Sequence, residues 1–330
     1  MNLAVDTGAT YRLLENALKE IGYTVALSYE DEQLIVTYTS PGGASWRTRA
    51  AHIRYPFTSA TAHSLSVDKA AAYEFVDHAG VPVPATHLID IVDSLDGTAV
   101  TQLIAQHAPL VVKPNDSSLS QGLTLNVSTH QELTRAVQIA RQVKRSDVLV
   151  QEQVTGEELR FVIIKGKVVA ALLRQTPRVI GDGASTVQEL IETENQVRRT
   201  LRFPYITYPE LDDSLIDASF FTRTDVLKSG EVLELSRATM IKNGCSVFEI
   251  LDTVHPSYIE DVERLAEPIG ADFFVADFLI KDHTVPATPA NHWFLEFNVS
   301  PVLKLCYGCR DGKMFDIVPL VAQLIDERLS

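Results

Sequence analysis

The chain has 330 residues, of which 45% are hydrophobic and 22% are charged, and its 29 basic and 43 acidic residues give a formal net charge of −14. This length allows a large core spread over two or three subdomains, and the composition is ordinary for a soluble globular protein. The acidic balance opposes general binding to nucleic acid or to anionic membranes, but it leaves room for a local basic pocket that holds phosphates.

The sequence has neither a run of about 18 apolar residues nor a charged-then-apolar pattern at its N-terminus. We therefore expect a cytoplasmic protein without a membrane span. The three cysteines, Cys245, Cys306 and Cys309, suggest a reducing compartment. The C-x-x-C pair among them has no further ligands at a zinc-site spacing, so free thiols are expected.

The predicted elements begin with a helix over residues 9–22 and two strands, YTVALSY and QLIVTYT, around an acidic turn. This small N-terminal region ends near residue 65. A helix follows from Asp68 to about His78, with Gly80 as its C-cap. PLVVKP then predicts a strand, NDSSLSQG a loop, and LTLNV another strand.

The central and C-terminal elements alternate between helices and strands. A helix over residues 130–144 begins at a Ser128/Thr129 cap, and DVLVQEQV and ELRFVIIKGKVVAALLRQ predict three strands. Thr186 and Glu189 form a capping box for the next helix. After a polar, irregular stretch come the strand VLELSR, a helix over 256–269, and the apolar strands FFVADFLI and WFLEFN. Since many strands neighbour each other in sequence, we predict an α+β fold with antiparallel sheets rather than a doubly wound parallel sheet.

Two stretches carry residue types that suit a nucleotide. In VVKPNDSSLSQG, a lysine ends a strand before a loop of small residues, where backbone N–H groups and the lysine charge can hold phosphate oxygens. In VLVQEQVTGEELR, a planar base could use backbone groups between Gln151 and Glu158, and Glu158 could accept from ribose hydroxyls. Read alone, each stretch fits an ordinary surface loop better than a nucleotide site.

The last two strands carry candidate metal ligands. Asp277 interrupts an apolar strand, and a buried carboxylate is costly unless it is paired or bound to a metal. Glu296 and Asn298 are two residues apart, so they point to the same side of a sheet. If the strands are neighbours, three oxygen ligands converge, which suits Mg²⁺. The alternative is a buried Asp277 paired with Arg237 or Arg174.

Taken in order, these segments resemble the ATP-grasp superfamily of ATP-dependent carboxylate–amine ligases. VDKAAAYEFVDHAGVPVP is similar to the family's entry into the nucleotide fold, VVKPNDSSLSQGLTLNV to its second lysine and phosphate loop, VLVQEQVTGEELRFVIIKGKVVAALLR to its adenine hinge, and ADFLI with FLEFNVSP to its metal-binding strands. RVIGDGASTVQELIETENQVRR is similar to a V-x-G-D-G-x-x-T-V-x-E-L-I segment in the ATP-grasp modules of cyanophycin synthetase and of the bifunctional glutathione synthesis enzyme.

The resemblance implies an ATP-grasp fold of two α+β subdomains that clamp ATP over residues 66–330, with a lid subdomain at about 110–185 and a small N-terminal α/β region at 1–65. It implies ATP and Mg²⁺, with Mn²⁺ as an alternative, and amino-acid or peptide substrates. No nucleic acid or membrane partner is expected, and a homodimer stays open.

The site residues implied by the resemblance fall into three groups. Two arginines, Arg174 and Arg237, would stabilise the transferred phosphoryl group and the acyl-phosphate oxygens. The metal would be held by Asp277, Glu296 and Asn298. The nucleotide would be held by Lys69, Lys113, Ser117, Ser120, Gln151, Glu152, Val154 and Glu158. Arg160, beside Glu158, is interpreted as an organiser of its strand or as an anchor for a substrate carboxylate.

Several positions depart from the family's pattern. Ser117 and Ser120 stand where glycine is common in the phosphate loop, and Gln151 stands where the hinge usually has glutamate. The loop ATMIKNGCSVF after Arg237 replaces an N-x-S-x-G-G loop that helps to hold the acceptor, so the substrate stays open. We predict a ligase that forms an amide bond through an acyl phosphate. The alternatives are a small-molecule kinase on the same fold and a non-catalytic subunit.

Overall fold

The computed structural model describes residues 8–90, 98–117, 121–144, 147–217, 219, 221–311 and 313–330. In these ranges the α-helices are α1 (Gly8–Glu20), α2 (Ala60–Val67), α3 (Lys69–His78), α4 (Thr98–His107), α5 (His130–Val143), α6 (Val187–Thr200), α7 (Pro256–Arg264), α8 (Ala266–Ile269) and α9 (Val318–Leu329). None of these helices is long and apolar enough to cross a membrane.

The strands of the same ranges pair antiparallel throughout. They are β1 (Thr24–Glu30), β2 (Gln33–Thr39), β3 (Ser45–Arg49), β4 (Thr86–Ile89), β5 (Leu110–Pro114), β6 (Thr124–Val127), β7 (Val148–Glu152), β8 (Glu157–Ile164), β9 (Lys167–Gln175), β10 (Arg178–Ile180), β11 (Val232–Glu234), β12 (Ser246–Glu249), β13 (Phe273–Ile280) and β14 (His292–Asn298).

The strands form four sheets, in the orders β1-β2-β3, β4-β7-β5-β6, β12-β9-β8-β13-β14 and β10-β11. Mixed helices and antiparallel sheets confirm the predicted α+β class. Several elements were not predicted from the sequence, among them the strands β3, β4 and β12 and the helices α2 and α4. Each is at most ten residues long, so its periodic pattern is weak.

Helix starts follow their predicted caps. Thr129 and Thr186 each accept from the backbone N–H three residues on, and the glutamates at those positions complete both capping boxes. The single helix expected over 256–269 is instead split at Leu265 into α7 and α8. Pro268 explains the break, because it has no N–H to donate to the carbonyl of Arg264. The expected strand VLELSR is shorter, since pairing ends at Glu234.

The five-stranded sheet has an apolar core on each face. On one face Val162 and Val275 join a core with Leu14 of α1, Tyr38 of β2 and Ile325 of α9. The opposite face packs Phe161, Phe274 and their neighbours against α3, α7 and α8. The four-stranded sheet has its own core with α5. Because strand side chains alternate, one face of the central sheet contacts the N-terminal region and α9, and the other face contacts α3, α7 and α8.

Candidate active site

The predicted metal ligands lie side by side at one end of the central sheet. In the β13–β14 ladder Asp277 is directly opposite Glu296, and Val275 is opposite Asn298. Residues that are opposite across an antiparallel pair share a face, so all three polar side chains point to the same side. Asp277 is buried, whereas the Glu296 side chain is 46% exposed. The prediction that these strands are neighbours is confirmed.

A β-bulge changes the pairing register of β13 and β14 beside these three residues. The register shifts after Asp277, so that Phe278 pairs with Phe294 and Leu295 has no partner residue across the strand. Bulges of this kind occur often next to active sites. The hydroxyl of Tyr73, on α3, donates to the Leu295 carbonyl at 2.7 Å. Tyr73 therefore ties the bulge beside Glu296 to helix α3.

Asp277 is paired with Arg160, which lies opposite it on β8. Arg160 donates from Nε at 2.7 Å and from Nη2 at 2.6 Å, one bond to each carboxylate oxygen. Burial acts to raise the pKa of Asp277, but the Arg160 charge and hydrogen bonds outweigh it and hold that pKa below its usual value. The sequence offered Arg237 or Arg174 as partners of Asp277 in the alternative to a metal site; of these, Arg174 lies with its Nη1 3.7 Å from Asp277.

A second ion pair extends the cluster along β8 and β9. Glu158 is opposite Arg174 and accepts a hydrogen bond from it. Burial raises the pKa of Glu158. The charge of Arg174 and a hydrogen bond from the Thr239 hydroxyl to the Glu158 carboxylate act in the opposite direction but do not outweigh burial. The two acids and two arginines thus alternate over three neighbouring strands. Fixed charges of this density in one place are typical of a functional site.

The two predicted ATP lysines lie near strand β14, which is an edge of the five-stranded sheet. The Lys69 ammonium donates to the Ser117 carbonyl at 2.5 Å and lies 3.7 Å from Glu296. Lys113 donates to the Tyr73 hydroxyl at 2.9 Å, 5.4 Å from the ring centroid. Burial lowers the pKa of Lys69, and the charge of Lys113 adds to this effect. The structure thus brings Lys69 next to Glu296 and Ser117, and places Lys113 close enough to Lys69 for their charges to interact. Ser120 lies outside the described residues.

Asn115 fixes the loop after β5 to the N-terminus of α3, a contact that the sequence did not predict. Its Nδ2 donates to the N-cap Asp68 at 2.9 Å, and its Oδ1 accepts from the Ala70 N–H at 2.9 Å. Asp68 in turn caps α3 by accepting from Ala71. This arrangement sets Lys69, the first residue of α3, beside the loop that carries Ser117.

The predicted adenine hinge follows β7. Gln151 is buried and donates to the Thr86 hydroxyl at 2.7 Å, on the neighbouring strand β4, which leaves its side-chain carbonyl as an acceptor. Glu152 forms an ion pair of 3.3 Å with His107 when the histidine is protonated. Val154 is half-buried where the chain leaves β7 for β8. The hinge residues therefore lie between the four-stranded and five-stranded sheets.

Comparisons with known proteins agree with this geometry. Residues 66–185 match the RimK-like ATP-grasp domain family. A cyanophycin synthetase of Trichormus variabilis is 30% identical over 246 residues, which cover 73% of this chain and 27% of that protein. A bifunctional glutathione biosynthesis protein of Streptococcus mutans is 29% identical over 242 residues, 71% of this chain and 32% of that protein. Residues 66–185 are therefore a RimK-like ATP-grasp domain.

A solved structure is similar in fold over nearly the whole of this chain. The bifunctional glutathione synthetase of Pasteurella multocida superposes with a TM-score of 0.64 at 19% identity, over 96% of this chain and 44% of that one. At this identity the match shows the fold. The chain spans about a third or less of the curated relatives named above.

The ATP-grasp site has the donor types that Mg²⁺ prefers. Glu296 and Asn298 offer partly solvated oxygens, and each Asp277 oxygen keeps a lone pair after accepting from Arg160. Among the described residues, no group of three or more His, Cys, Asp or Glu side chains forms a metal cluster, so the carboxamide of Asn298 is needed for a third ligand. The three cysteines are buried free thiols, as expected.

Of the two arginines predicted to be catalytic, the structure joins Arg174 to the carboxylate cluster through Glu158. Arg237 is exposed on the segment that follows β11. Thr239, two residues further on, reaches Glu158, so this segment runs beside the ATP-grasp site. The catalytic role of Arg237 stays a prediction.

Gly156 gives a stability prediction for the chain between hinge and site. An added Cβ there would lie 2.7 Å from the Ile280 carbonyl carbon and 2.8 Å from its backbone N and O. Gly156→Ala is therefore expected to lower the free energy of unfolding by about 1–3 kcal/mol, measured by urea denaturation. Gly42→Ala is the control, because its nearest atom, the Ser40 Oγ, is 3.8 Å away. Equal stability of both variants would contradict the close approach.

Proposed function

We propose that this chain is an ATP-dependent carboxylate–amine ligase that forms an amide bond through an acyl phosphate, on an amino acid or short peptide. The observation that carries the proposal is the convergence of Lys69 and Lys113 at strand β14: Lys69 lies 3.7 Å from Glu296, and Lys113 bonds to Tyr73, which bonds to the Leu295 carbonyl. The relatives, a cyanophycin synthetase and a glutathione biosynthesis protein, support the substrate class by their names.

The side chains divide the work as follows. Lys69 and Lys113 bind the nucleotide phosphates as point charges, and their proximity to each other favours an anion between them. Mg²⁺ held by Asp277, Glu296 and Asn298 supplies positive charge for the phosphate oxygens. Gln151, Glu152, Val154 and Glu158 form the wall for adenine and ribose.

In the reaction, a substrate carboxylate oxygen attacks the γ-phosphorus while the bond to the β–γ bridging oxygen breaks, which releases ADP. The amine nitrogen of the second substrate then attacks the acyl carbon, loses a proton, and phosphate leaves. Arg174 is held in place by Glu158, and we assign to it the stabilisation of the oxygens that gain charge. Arg160 acts only through Asp277, which it holds ionised and fixed.

The test is a screen of ATP-dependent phosphate release over pairs of amino acids and short peptides, with mass spectrometry of the products. A ligase releases phosphate only when both a carboxylate and an amine are present, and its product gains the mass of the amine minus water. Phosphate transfer to one substrate alone, with ADP and a stable phosphorylated product, would refute the ligase and indicate a kinase.

A further inference from the structure

A cavity lies on the face of the central sheet opposite to that of Asp277, Arg160 and Arg174. It has a volume of about 420 Å³ and lies between α6 and the β9–β12 edge. Gln175 and Ser246, which line it, are opposite each other in the ladder. Arg174 and Val247, each one residue along, point to the other face. The cavity is therefore separated from the candidate active site by the sheet itself.

At this cavity one carboxylate, Glu194, is shared by two guanidinium groups: Arg310 in the wall and Arg198 behind it. Glu194 accepts from the Arg198 Nε at 2.6 Å and from the Arg310 Nη1 and Nη2 at 2.6 and 3.2 Å. Arg198 is buried and also donates to the carbonyls of Pro209 and Gly244. Among the described residues, the salt bridges of both arginines end on Glu194. One positive charge is left over.

The surplus charge is available at Arg310, since Arg310 lines the cavity and Arg198 does not. The other lining guanidinium, Arg178, is balanced by Glu157 and Glu234 at 3.1 and 3.4 Å. Bonds to Glu194 and to the Ser246 hydroxyl use three of the five donors of Arg310. A further anion could therefore bind there without displacing Glu194.

Most of the remaining lining residues are apolar, among them Leu190, Val197, Leu201 and Phe248. A volume of this size falls in the usual range for small-molecule sites, which combine apolar walls with a few placed polar groups. We propose that the cavity binds a small organic carboxylate with an apolar body. The carboxylate would contact Arg310 and restore charge balance, and the body would lie on the apolar wall.

The test uses 3-phenylpropionate as the probe and 3-phenylpropionamide as its uncharged match, each titrated calorimetrically into the full chain. We expect saturable binding of the acid and an affinity for the amide lower by about tenfold or more, because a hydrogen bond to a charged group is lost. Equal affinity for both probes, or no saturable binding of the acid, would overturn the proposal.

Two variants locate the binding. Arg310→Gln is expected to lower the affinity for 3-phenylpropionate by about tenfold or more. The variant should fold, because Arg198 still neutralises Glu194. Arg199→Gln is the matched control, since Arg199 lies on α6 with Glu194 but pairs with Glu192 and Glu210 at the surface. Unchanged binding by Arg310→Gln, or an equal loss in both variants, would refute the assignment.

Two further measurements keep the result specific. Val197→Trp fills the cavity without touching the charge cluster, so it should abolish binding even if Arg310→Gln folds poorly; retained binding would count against the cavity. Saturating ADP with Mg²⁺ should leave the affinity for the acid unchanged, since the nucleotide face is on the other side of the sheet. Competition between them would place the probe in the active site instead and overturn the proposal.

Discussion

Glu296→Gln is expected to lower ATP turnover by about a hundredfold or more, because it removes one of the two carboxylates proposed to hold Mg²⁺ and thereby several kcal/mol of charge stabilisation. The measurement is amine-dependent phosphate release at saturating ATP. The variant should stay folded, since the Glu296 side chain is 46% exposed and its ion pair with Lys69 is 3.7 Å long.

Glu327→Gln is the matched control. Glu327 is also about half exposed and pairs with a lysine, Lys165, but it lies on α9, at a distance from the candidate site in the fold. Its turnover should equal that of the unmodified chain. Normal turnover in Glu296→Gln would refute the metal assignment, and an equal loss in both variants would show that the assay responds to general charge.

Arg160→Met is expected to lower the free energy of unfolding by about 3–5 kcal/mol, because it leaves the buried Asp277 carboxylate without its bidentate partner. Urea denaturation measures this. Lys167→Met, on the neighbouring strand β9, is the control: its pair with Glu263 is solvent-exposed, and its loss should cost less than about 1 kcal/mol.

The loss in free energy of unfolding caused by Arg160→Met should be smaller at acidic pH. In the folded chain the pKa of Asp277 lies below its usual value, so pairing stabilises the fold above the pKa of the unfolded chain and is lost as pH falls through the folded value. Without Arg160, burial alone acts on the carboxyl, and its protonation relieves the penalty. A deficit that stays constant from neutral to acidic pH would contradict the role of this pair.

Side-chain alternation was enough to predict the shared face of Glu296 and Asn298, because it depends only on local geometry. The pairing of their strand with that of Asp277 was an expectation from the resemblance to ATP-grasp ligases. Local side-chain alternation could not predict the partner of Asp277. Arg160 is 117 positions away in sequence, and only the register of β8 against β13 places it opposite the carboxylate.

The bulge at Leu295 shows the same limit. Its extra residue keeps the apolar pattern of WFLEF unbroken, so nothing in the sequence distinguishes it from a regular strand position. Its position depends on a tertiary contact, the Tyr73 hydroxyl, which comes from a helix 222 positions earlier. Local patterns predicted that helix, but the choice of which carbonyl it satisfies belongs to the assembled fold.

The core beneath the first face of the central sheet bears on how the chain can be divided. The motifs that resemble a ligase begin near residue 66, yet the side chains before that point are built into one interior with the central sheet and the C-terminal helix. A chain shortened to begin at residue 66 would expose that apolar surface to water and is expected to aggregate. The part that resembles a ligase is therefore shorter than the smallest part that folds, and residues before and after position 66 should unfold together in one cooperative transition.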